Sequence, residues 1–544
     1  MTPTRVVAKC GAVTVRTMRG EGPRAPDRVR AAEVVGTLCL ATDLGMGFPF
    51  EHGLQTTLIA SRLAQRLGVD DETERRVYYG SLLAHAGCTI YAHVSADIFG
   101  SPLVENLHPV IFGSRREIFG GILRALPDAD RSRPVRAIQA VRRLPRVARV
   151  QRPHFAAMCE VIQRLGQGFG LPRDVTDPLA HLVERWDGKG VLGRSKGDEM
   201  PLPIRIGQVA VDAAFQRMLS GPEESARTVR ERAGGAFDPE IAGCLADHAD
   251  EILAQDDGSA WDEVLEREPS PPLVLEGAAI DRALVAMAGF TDLVSPYLTG
   301  HSTGVAELAG AAAERCRVDR ERLAAVRRAG LVHDLGRVAV HPRIWGKPGP
   351  LTPDEWEEVR LHPYQTERIL SRSGFFSALA PVAAAHHERL DASGYHRGVP
   401  GAELGLAARL LAAADVYHAM REPRPHREPL SPEGAAEELG REASEGKLDP
   451  DAVTAVIEAA GQRAPKLERP AGLTEREAEV VAMLARGLQT KQVAHELGIS
   501  TKTADTHVQN AYRKLGVSTR AGATLFAIEH GLITWADLPR AAAI

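Results

Sequence analysis

Cysteine, aromatic side chains and long apolar runs are all scarce in this sequence of 544 residues. The six cysteines are widely separated and include no Cys-x-x-Cys pair, which argues against a zinc ribbon or a disulfide framework and favours a reducing cytoplasm. No stretch approaches the roughly 18 apolar residues that span a bilayer, so we expect no membrane partner. The net charge of −5 does not mark a chain-wide nucleic-acid binder but leaves room for local basic surfaces.

The chain is too long for one core, and two breaks divide it. Residues 266–272 combine charge with three prolines, and residues 464–472 are similarly rich in proline and charge. Elsewhere the Ala/Leu/Arg/Glu-rich pattern predicts an all-α protein. We predict a disordered basic arm at 1–32, a helical unit one at 33–255, a linker at 256–279, a helical unit two at 280–462, a linker at 463–472 and a compact helical domain at 473–544.

A short segment is written twice in the chain. Residues 184–190 read Glu-Arg-Trp-Asp-Gly-Lys-Gly, and residues 388–394 read Glu-Arg-Leu-Asp-Ala-Ser-Gly. Further anchors recur in the same order: the spacing from His52 to Ala84 equals that from His301 to His333, and 235–239 matches 446–450. The repeat indicates that unit two duplicates unit one, the alternative being chance similarity between helical stretches.

Unit two contains an ordered set of histidines and aspartates. The members are His301, His333, Asp334, His362, His386, His387 and Asp415. Imidazoles and carboxylates suit manganese, iron and zinc ions. Adjacent helical residues diverge by about 100°, so a His-Asp neighbour pair can serve two metals, or a metal and its bound water. Two metals together can activate water and neutralise phosphoryl charge.

The set resembles that of HD-GYP domains, a subclass of the HD metal-dependent phosphohydrolases. The matching stretches are 300–302, 333–337, 362–363, 386–391, 394–396 and 414–417. The resemblance implies tandem HD-domain helical bundles and two divalent ions, iron, manganese or similar, held in 280–462 by these seven residues, with Asp334 bridging. It also implies catalytic roles for Asp334 and Arg337 in phosphodiester hydrolysis, since many family members hydrolyse cyclic di-GMP.

Three positions depart from the family pattern. Arg337 stands where the family has lysine, Ala392 where it has glycine, and His396 where it has the proline of Gly-Tyr-Pro. Arginine keeps a cation for phosphate but changes its shape and hydrogen bonding. These changes bear on the choice of substrate more than on the metal.

Unit one lacks most of the ligand set. Ala84 and His85 stand where unit two has His333 and Asp334, 182–183 are Leu-Val instead of His-His, and Val211 replaces Asp415. His52 is the one retained position, so we expect no metal in 33–255 and a role in packing, dimerisation or ligand sensing. Its basic stretch is either a solvated helix face or a surface for an anionic ligand or the DNA backbone: Arg131, Arg133, Arg136, Arg142, Arg143, Arg146, Arg149 and Arg152.

The C-terminal region has the pattern of a helix-turn-helix. Thr474 and Glu477 form a capping box, a helix is predicted over 491–497, and Ser500 caps a second helix from Thr501 to about Leu515. The tail resembles the LuxR-type DNA-binding domain in Leu473, Thr474, Arg476, Glu477, Gly487, Val493, Ala494, Ile499, Ser500, Lys514, Leu515 and Gly516. The second helix is expected to enter the major groove of double-stranded DNA.

The LuxR resemblance also implies a set of DNA-binding residues. Lys502, Thr503, Thr506 and His507 would approach bases or phosphates, and Arg513, Lys514 and Arg520 would contact the backbone. Residues 473–532 carry only seven Lys/Arg against six Asp/Glu. We therefore expect modest affinity per monomer, strong salt dependence and a homodimer that reads a two-fold site.

Three hypotheses combine these features. In the first, the chain is a cytoplasmic transcriptional regulator whose HD-GYP-like domain binds metal and senses or hydrolyses a phosphorylated nucleotide. In the second, it is primarily a cyclic-di-GMP-type phosphodiesterase whose DNA-binding tail serves localisation. In the third, the HD unit binds nucleotide without turnover. The complete ligand set favours catalysis, whereas the altered Gly-Tyr-Pro loop favours sensing or a different substrate.

Overall fold

The computed structural model describes residues 27–86, 98–99, 112–128, 131–255, 258–464 and 470–533. These residues form helices and two short strands, which confirms the predicted all-α class. Most of the predicted arm at 1–32 and part of the linker at 463–472 lie outside the described residues. No helix in the described part of the chain is long and apolar enough to cross a bilayer.

Several helices of unit one begin at a side chain that caps the first turn. Asp70 accepts a hydrogen bond from the Thr73 amide, and Asp238 accepts one from the Glu240 amide. The helices are α1 (Ala31–Met46), α2 (His52–Leu67), α3 (Asp71–Leu83), α4 (Arg115–Ala125), α5 (Arg133–Gly168), α6 (Arg173–Thr176), α7 (Leu202–Ser220), α8 (Pro222–Glu231), α9 (Pro239–Asp247) and α10 (Ala249–Ile252).

The segment 256–279, predicted as a linker, also contains regular secondary structure on both sides of its prolines. It contains α11 (Ala260–Glu266) and β2 (Val274–Glu276), and β2 pairs antiparallel with β1 (Arg28–Arg30). Trp261 of α11 is 4% exposed because its ring lies against Gly36 of α1, in space that a side chain there would occupy. Burial of this indole ties the segment to unit one and holds α11 against α1 and α2.

Unit two and the C-terminal domain are also built from α-helices. Unit two comprises α12 (Ala278–Asp292), α13 (His301–Arg315), α14 (Arg320–Val332), α15 (Pro342–Trp345), α16 (Pro353–Arg360), α17 (His362–Leu370), α18 (Gly374–Ser377), α19 (Ala380–Ala383), α20 (Leu406–Met420), α21 (Pro432–Ser444) and α22 (Pro450–Ala459). The C-terminal domain comprises α23 (Glu475–Ala485), α24 (Thr490–Glu496), α25 (Thr501–Leu515) and α26 (Arg520–Glu529).

Equivalent contacts recur in the two units. The Asp43 carboxylate accepts the Gly53 amide at 3.1 Å, and Asp292 accepts the Ser302 amide at 3.2 Å, each ten residues ahead. The ion pair between Arg205 and Asp238 (2.6 Å) is matched by the pair between Arg409 and Asp449 (2.8 Å). The buried carboxylates of Glu184 and Glu388 each accept two backbone amides from the loop that follows. These paired contacts support the duplication.

The two units share one continuous hydrophobic core. Helix α1 of unit one lies against α17 and against the short 3₁₀ helix Leu335–Ala339, which follows Asp334 directly. Ser373 of unit two donates a hydrogen bond to Glu33 at 2.6 Å, and Arg372 pairs with Glu51 at 3.0 Å. Unit one therefore helps to hold the segment that carries the candidate site of unit two.

The arginine-rich stretch of unit one lies on the first half of α5. Arg142 and Arg146 are exposed, and so are the apolar side chains of Ile138 and Val141 nearby. Arg143 differs from them because it pairs with Asp128 at 3.0 Å. Both interpretations of this stretch, a solvated face and an anion-binding surface, remain predictions.

Candidate metal centre and helix-turn-helix

The seven candidate ligands of unit two converge on one point in the core. They lie on five segments: His301 opens α13, His333 and Asp334 follow α14, His362 opens α17, His386 and His387 follow α19, and Asp415 lies on α20. Six are buried, and His387 is partly buried. The helices bring together residues that are more than a hundred positions apart in the chain.

Asp334 lies at the middle of this cluster. Its Oδ2 atom is 3.0 Å from Nε2 of His333 and 3.3 Å from Nε2 of His301. Its Oδ1 atom is 3.3 Å from Nε2 of both His362 and His386. A carboxylate with one oxygen facing each pair of imidazoles is suited to bridge two ions.

Backbone carbonyls orient three of the imidazoles. The Nδ1 atoms of His333, His362 and His386 lie 2.7, 2.6 and 2.7 Å from the carbonyl oxygen three residues earlier. A carbonyl can only accept, so each Nδ1 carries a proton and each Nε2 is the atom that faces the centre. This is the orientation that a metal-binding histidine requires.

The polar atoms at the centre lie at ion-pair distances from one another but make no well-oriented hydrogen bond within the described part of the chain. These atoms are His301 Nε2, His333 Nε2, both carboxylate oxygens of Asp334 and Asp415 Oδ1. Unpaired buried polar atoms are costly, and a bound cation would satisfy them. Among the described residues, every group of three or more possible metal ligands close enough to share an ion consists of residues from His301 to Glu422 of the sequence. The donor set therefore fits divalent ions of the manganese, iron and zinc type.

The pKa values reflect this packing of opposite charges. Burial acts to raise the pKa of Asp334, but the Arg337 guanidinium and the His333 imidazole outweigh it and hold that pKa well below its usual range. Burial and Arg337 act to lower the pKa of His301, but Asp334, Asp415 and Glu422 raise it to about 10. Burial lowers the pKa of His386 to about 4.

Arg337 reaches the same centre from the 3₁₀ helix. Its Nη1 atom lies 2.6 Å from Oδ2 of Asp334, and its guanidinium lies 5.4 Å from the Trp345 ring. The Nε and Nη1 atoms make no well-aligned hydrogen bond in the described residues, although Nη1 is paired with the Asp334 carboxylate. The side chain therefore has a fixed position beside the centre, and its planar guanidinium suits an anionic phosphoryl group.

The altered Gly-Tyr-Pro loop borders the centre. The Tyr395 ring lies 4.6 Å from the His387 ring, and the Tyr395 amide donates to the His387 carbonyl. His396 points elsewhere, toward Glu367 at 3.6 Å. Ala392 has a φ of +58°, the backbone conformation that the glycine expected there would favour.

Unit one places different side chains at the equivalent point. His52 and His85 are buried 5.6 Å apart, and the Phe48 ring stacks on His52 at 4.4 Å. Burial lowers the pKa of His52 to about 3 and that of His85 to about 4. Asp212, one step past the position of Asp415, pairs with Arg232 at 2.5 Å. The absence of metal from 33–255 remains a prediction.

Sequence reasoning did not identify Glu422 and His418, which adjoin the centre. His418 lies three residues after Asp415 on α20, a spacing that places two side chains on one helix face and could have indicated it. Glu422 lies beyond the end of the helix and belongs to no motif of the chain, so only the folded structure brings it to His301.

The helix-turn-helix elements match the sequence expectations closely. Thr474 and Glu477 form the predicted capping box, and Ser500 caps α25, which spans the predicted residues Thr501–Leu515. Helix α24, predicted to begin at residue 491, begins one residue earlier, at Thr490. Ala504 and Val508 are buried against the other helices, while the outward side of α25 carries exposed Lys502, Thr503, Thr506 and Arg513 and half-exposed His507.

Two of the proposed DNA contacts have partners inside the domain. Lys514 donates to Glu477 at 2.6 Å and to the Gly472 carbonyl at 2.9 Å. Arg520 donates to the carbonyl of Leu484 at the end of α23. These contacts explain both cations as supports of the domain, so any contact with DNA would require them to exchange partners.

Comparisons with known proteins agree with these observations. Residues 287–452 match the HD domain family, and residues 471–527 match the LuxR family of bacterial regulatory proteins. The 3′3′-cGAMP-specific phosphodiesterase 3 of Vibrio cholerae is 26% identical over 434 residues, which cover 79% of this chain and 94% of that protein. A cyclic di-GMP phosphodiesterase of Thermotoga maritima is 36% identical over 160 residues, 29% of this chain and 43% of that protein.

The fold also has a counterpart among solved structures. The crystal structure of a cyclic GMP-AMP-specific phosphodiesterase of Vibrio cholerae matches 80% of this chain and 98% of its own, with a TM-score of 0.56 and 23% identity. A match at that identity establishes a shared fold. Together, the family matches confirm both resemblances noted in the sequence. The chain therefore contains an HD domain at residues 287–452 and a LuxR-family regulatory domain at residues 471–527.

Proposed function

We propose that the chain is a DNA-binding transcriptional regulator of the cytoplasm, acting as a homodimer, whose HD domain binds two divalent ions and a cyclic dinucleotide or related phosphoester. The support comes from the LuxR-family domain, from the convergent histidines and aspartates, and from relatives named as cyclic-dinucleotide phosphodiesterases. The domain divisions at 33–255, 280–462 and 473–544 belong to the same proposal.

The chain's own residues have defined parts in this proposal. His301, His333, His362, His386, His387, Asp334 and Asp415 would hold the ions. When bound, two such ions lower the pKa of water and neutralise phosphoryl charge. Arg337 would hold a phosphoryl oxygen through its guanidinium, which lies beside the centre, and Tyr395 would border the nucleotide next to His387. The same residues serve either sensing or hydrolysis.

One observation carries the link between the two domains. The Arg409 guanidinium donates to the Gly531 carbonyl of the C-terminal domain at 2.6 Å and to the Gly401 carbonyl of the HD domain at 2.7 Å. Ala402 is buried in the same apolar cluster as Leu473 and Ile528 of the C-terminal domain. The loop that follows His387 and contains Tyr395 thus ends at Gly401 and Ala402, against the DNA-binding domain. A ligand that shifts this loop would also shift its contacts with that domain.

A second candidate function is primarily enzymatic. The ligand set is complete, and the aligned phosphodiesterase from Vibrio cholerae corresponds to this chain over 94% of its own length. On this hypothesis the chain hydrolyses a cyclic dinucleotide, and the DNA-binding domain localises the enzyme.

One preparation of the full-length protein tests both candidates. Metal content, hydrolysis of cyclic di-GMP and 3′3′-cGAMP, and DNA binding with and without each nucleotide are measured together. We expect bound metal in the wild type, its loss in the His333→Ala/Asp334→Ala double variant, and a nucleotide-dependent change in DNA affinity. The His52→Ala variant of unit one is the matched control and should keep its metal.

The outcomes separate the candidates. Turnover without any effect of nucleotide on DNA binding would favour the enzyme, and an effect on DNA binding without turnover would favour the sensor. If the wild type and the double variant contain equal amounts of metal, the metal centre is wrongly assigned. Sedimentation analysis of the same sample tests the homodimer.

A further inference from the structure

A second carboxylate lies behind the candidate metal ligand His301. The Nδ1 atom of His301 is 3.0 and 3.1 Å from the two carboxylate oxygens of Glu422. On the other side of the ring, Nε2 faces Asp415 at 3.1 Å and Asp334 at 3.3 Å. An ionised carboxylate can only accept, so Glu422 keeps the proton on Nδ1 and directs Nε2, the atom that would bind an ion, toward the centre.

Glu422 is itself held by two further side chains. Nδ1 of His418 lies 2.9 Å from its Oε1, and Nη2 of Arg424 lies 2.7 Å from its Oε2. The His418 ring occupies the space beside Gly304 on α13, where an added Cβ would lie 1.9 Å from Nε2 of the imidazole. The glycine one turn after His301 therefore makes room for the histidine that steadies Glu422.

Unit one supplies an internal comparison. By the spacing that pairs Arg205 with Arg409, Ala214 and Met218 stand where unit two has His418 and Glu422. The unit that has lost most of the candidate ligands thus also has no carboxylate at the position equivalent to Glu422. The support and the ligand set occur together in unit two.

We propose that Glu422, fixed by His418 and Arg424, is a positioning residue that orients His301 and raises the metal affinity of the HD domain. The inference rests on the proposed metal binding. A carboxylate behind a metal-binding histidine fixes the ring and increases its basicity, and removal of such a partner weakens metal binding by roughly 10–100-fold.

The competing interpretation makes Glu422 a metal ligand. His301, His418 and Glu422 also form a group whose donor atoms lie within 4.8 Å of one another. That use would require Nδ1 of His301 to bind an ion instead of donating to Glu422. The two interpretations differ in stoichiometry: loss of a positioning residue weakens binding at an unchanged number of sites, whereas loss of a ligand removes a site.

The experiment titrates the metal-free, full-length protein with Mn²⁺ and counts free and bound metal. For Glu422→Ala we expect a Kd about 10–100-fold higher than that of the wild type, with the same number of ions at saturation. Glu422→Gln should lose less, because its amide oxygen can still accept the Nδ1 proton. Gly304→Ala should weaken binding by displacing His418, although alanine is ordinarily favourable in a helix.

Controls separate positioning from folding. Glu458→Ala removes an exposed carboxylate of α22 in the same domain and should bind Mn²⁺ as the wild type does. Unfolding of each variant is measured without metal, and we expect every variant to keep a cooperative transition, so that a weaker Kd reports on the site and not on an unfolded chain. An unchanged Kd for Glu422→Ala, or fewer ions at saturation, would overturn the inference. A wild type that binds no Mn²⁺ would instead refute the proposed metal centre.

Discussion

At the scale of single residues, Ala392 occupies a backbone conformation that suits glycine. Its φ is +58°, while Gly188, the equivalent residue of unit one, has a φ of +71°. A left-handed conformation costs a non-glycine residue roughly 1–2 kcal/mol because its Cβ crowds the carbonyl. We expect Ala392→Gly to stabilise the protein by about 1 kcal/mol and to move the urea unfolding midpoint upward.

The reciprocal substitution in unit one is the matched control. Gly188→Ala should lower the midpoint, because it adds the same backbone strain and brings its Cβ to 3.1 Å from Cβ of Lys196. If Ala392→Gly leaves the midpoint unchanged or lowers it, the strain assigned to this loop is wrong.

The sequence identified all seven side chains that converge around Asp334 because their order and spacing form a recognisable pattern. It did not identify Glu422 or Trp345, since each meets the centre through tertiary packing and belongs to no motif. It also could not show the partners of Lys514 and Arg520 inside the domain, which become visible only when α25 and α26 pack against α23. Spacing along the chain predicts side chains that share a helix face, but contacts between distant segments require the fold.

At the scale of elements, α25 presents the candidate DNA-reading surface. Lys502 is exposed, and His507 lies on the same outward side. We expect the Lys502→Ala/His507→Ala double variant to bind DNA at least about 10-fold more weakly than the wild type does. The DNA is a duplex that the wild type selects from a random pool. Removal of one phosphate contact should also reduce the slope of log affinity against log salt by about 1.

Lys514→Ala provides the comparison on the same helix. Because Lys514 pairs with Glu477 of α23, its loss should loosen the domain and leave the salt slope close to that of the wild type. An unaltered affinity in the Lys502/His507 double variant would show that α25 does not read DNA.

The bounds of α25 were predictable because Ser500 and Gly516 mark its two ends locally, whereas burial of α11 depends on a distant surface that no local pattern reports.

At the scale of the whole molecule, the C-terminal domain is packed against the HD domain. Ala402, on the 3₁₀ helix Gly401–Glu403, is 3% exposed within an apolar cluster that includes Leu473, Ile528 and Ile533. A Cβ added at Gly531 would lie 3.4 Å from the Leu390 side chain, so the two surfaces are in close contact. The sequence predicted both domains but not this interface, because each domain contributes only a few small apolar residues to it from its own segment of the chain.

The interface leads to the last prediction. Ala402→Asp would bury an unpaired carboxylate, at a cost of several kcal/mol, unless the domains separate and let water reach it. We expect separation, seen as faster hydrogen exchange of the amides at 527–533, while the amides around His333 in the HD core keep their protection. Leu525→Asp is the control, since Leu525 is 65% exposed on α26 and the change leaves exchange as in the wild type.

If the HD domain sets the state of the DNA-binding domain through this contact, the Ala402→Asp protein should bind DNA with an affinity that no longer depends on nucleotide. Retained nucleotide dependence in a protein with accelerated exchange would mean that the signal travels by another route.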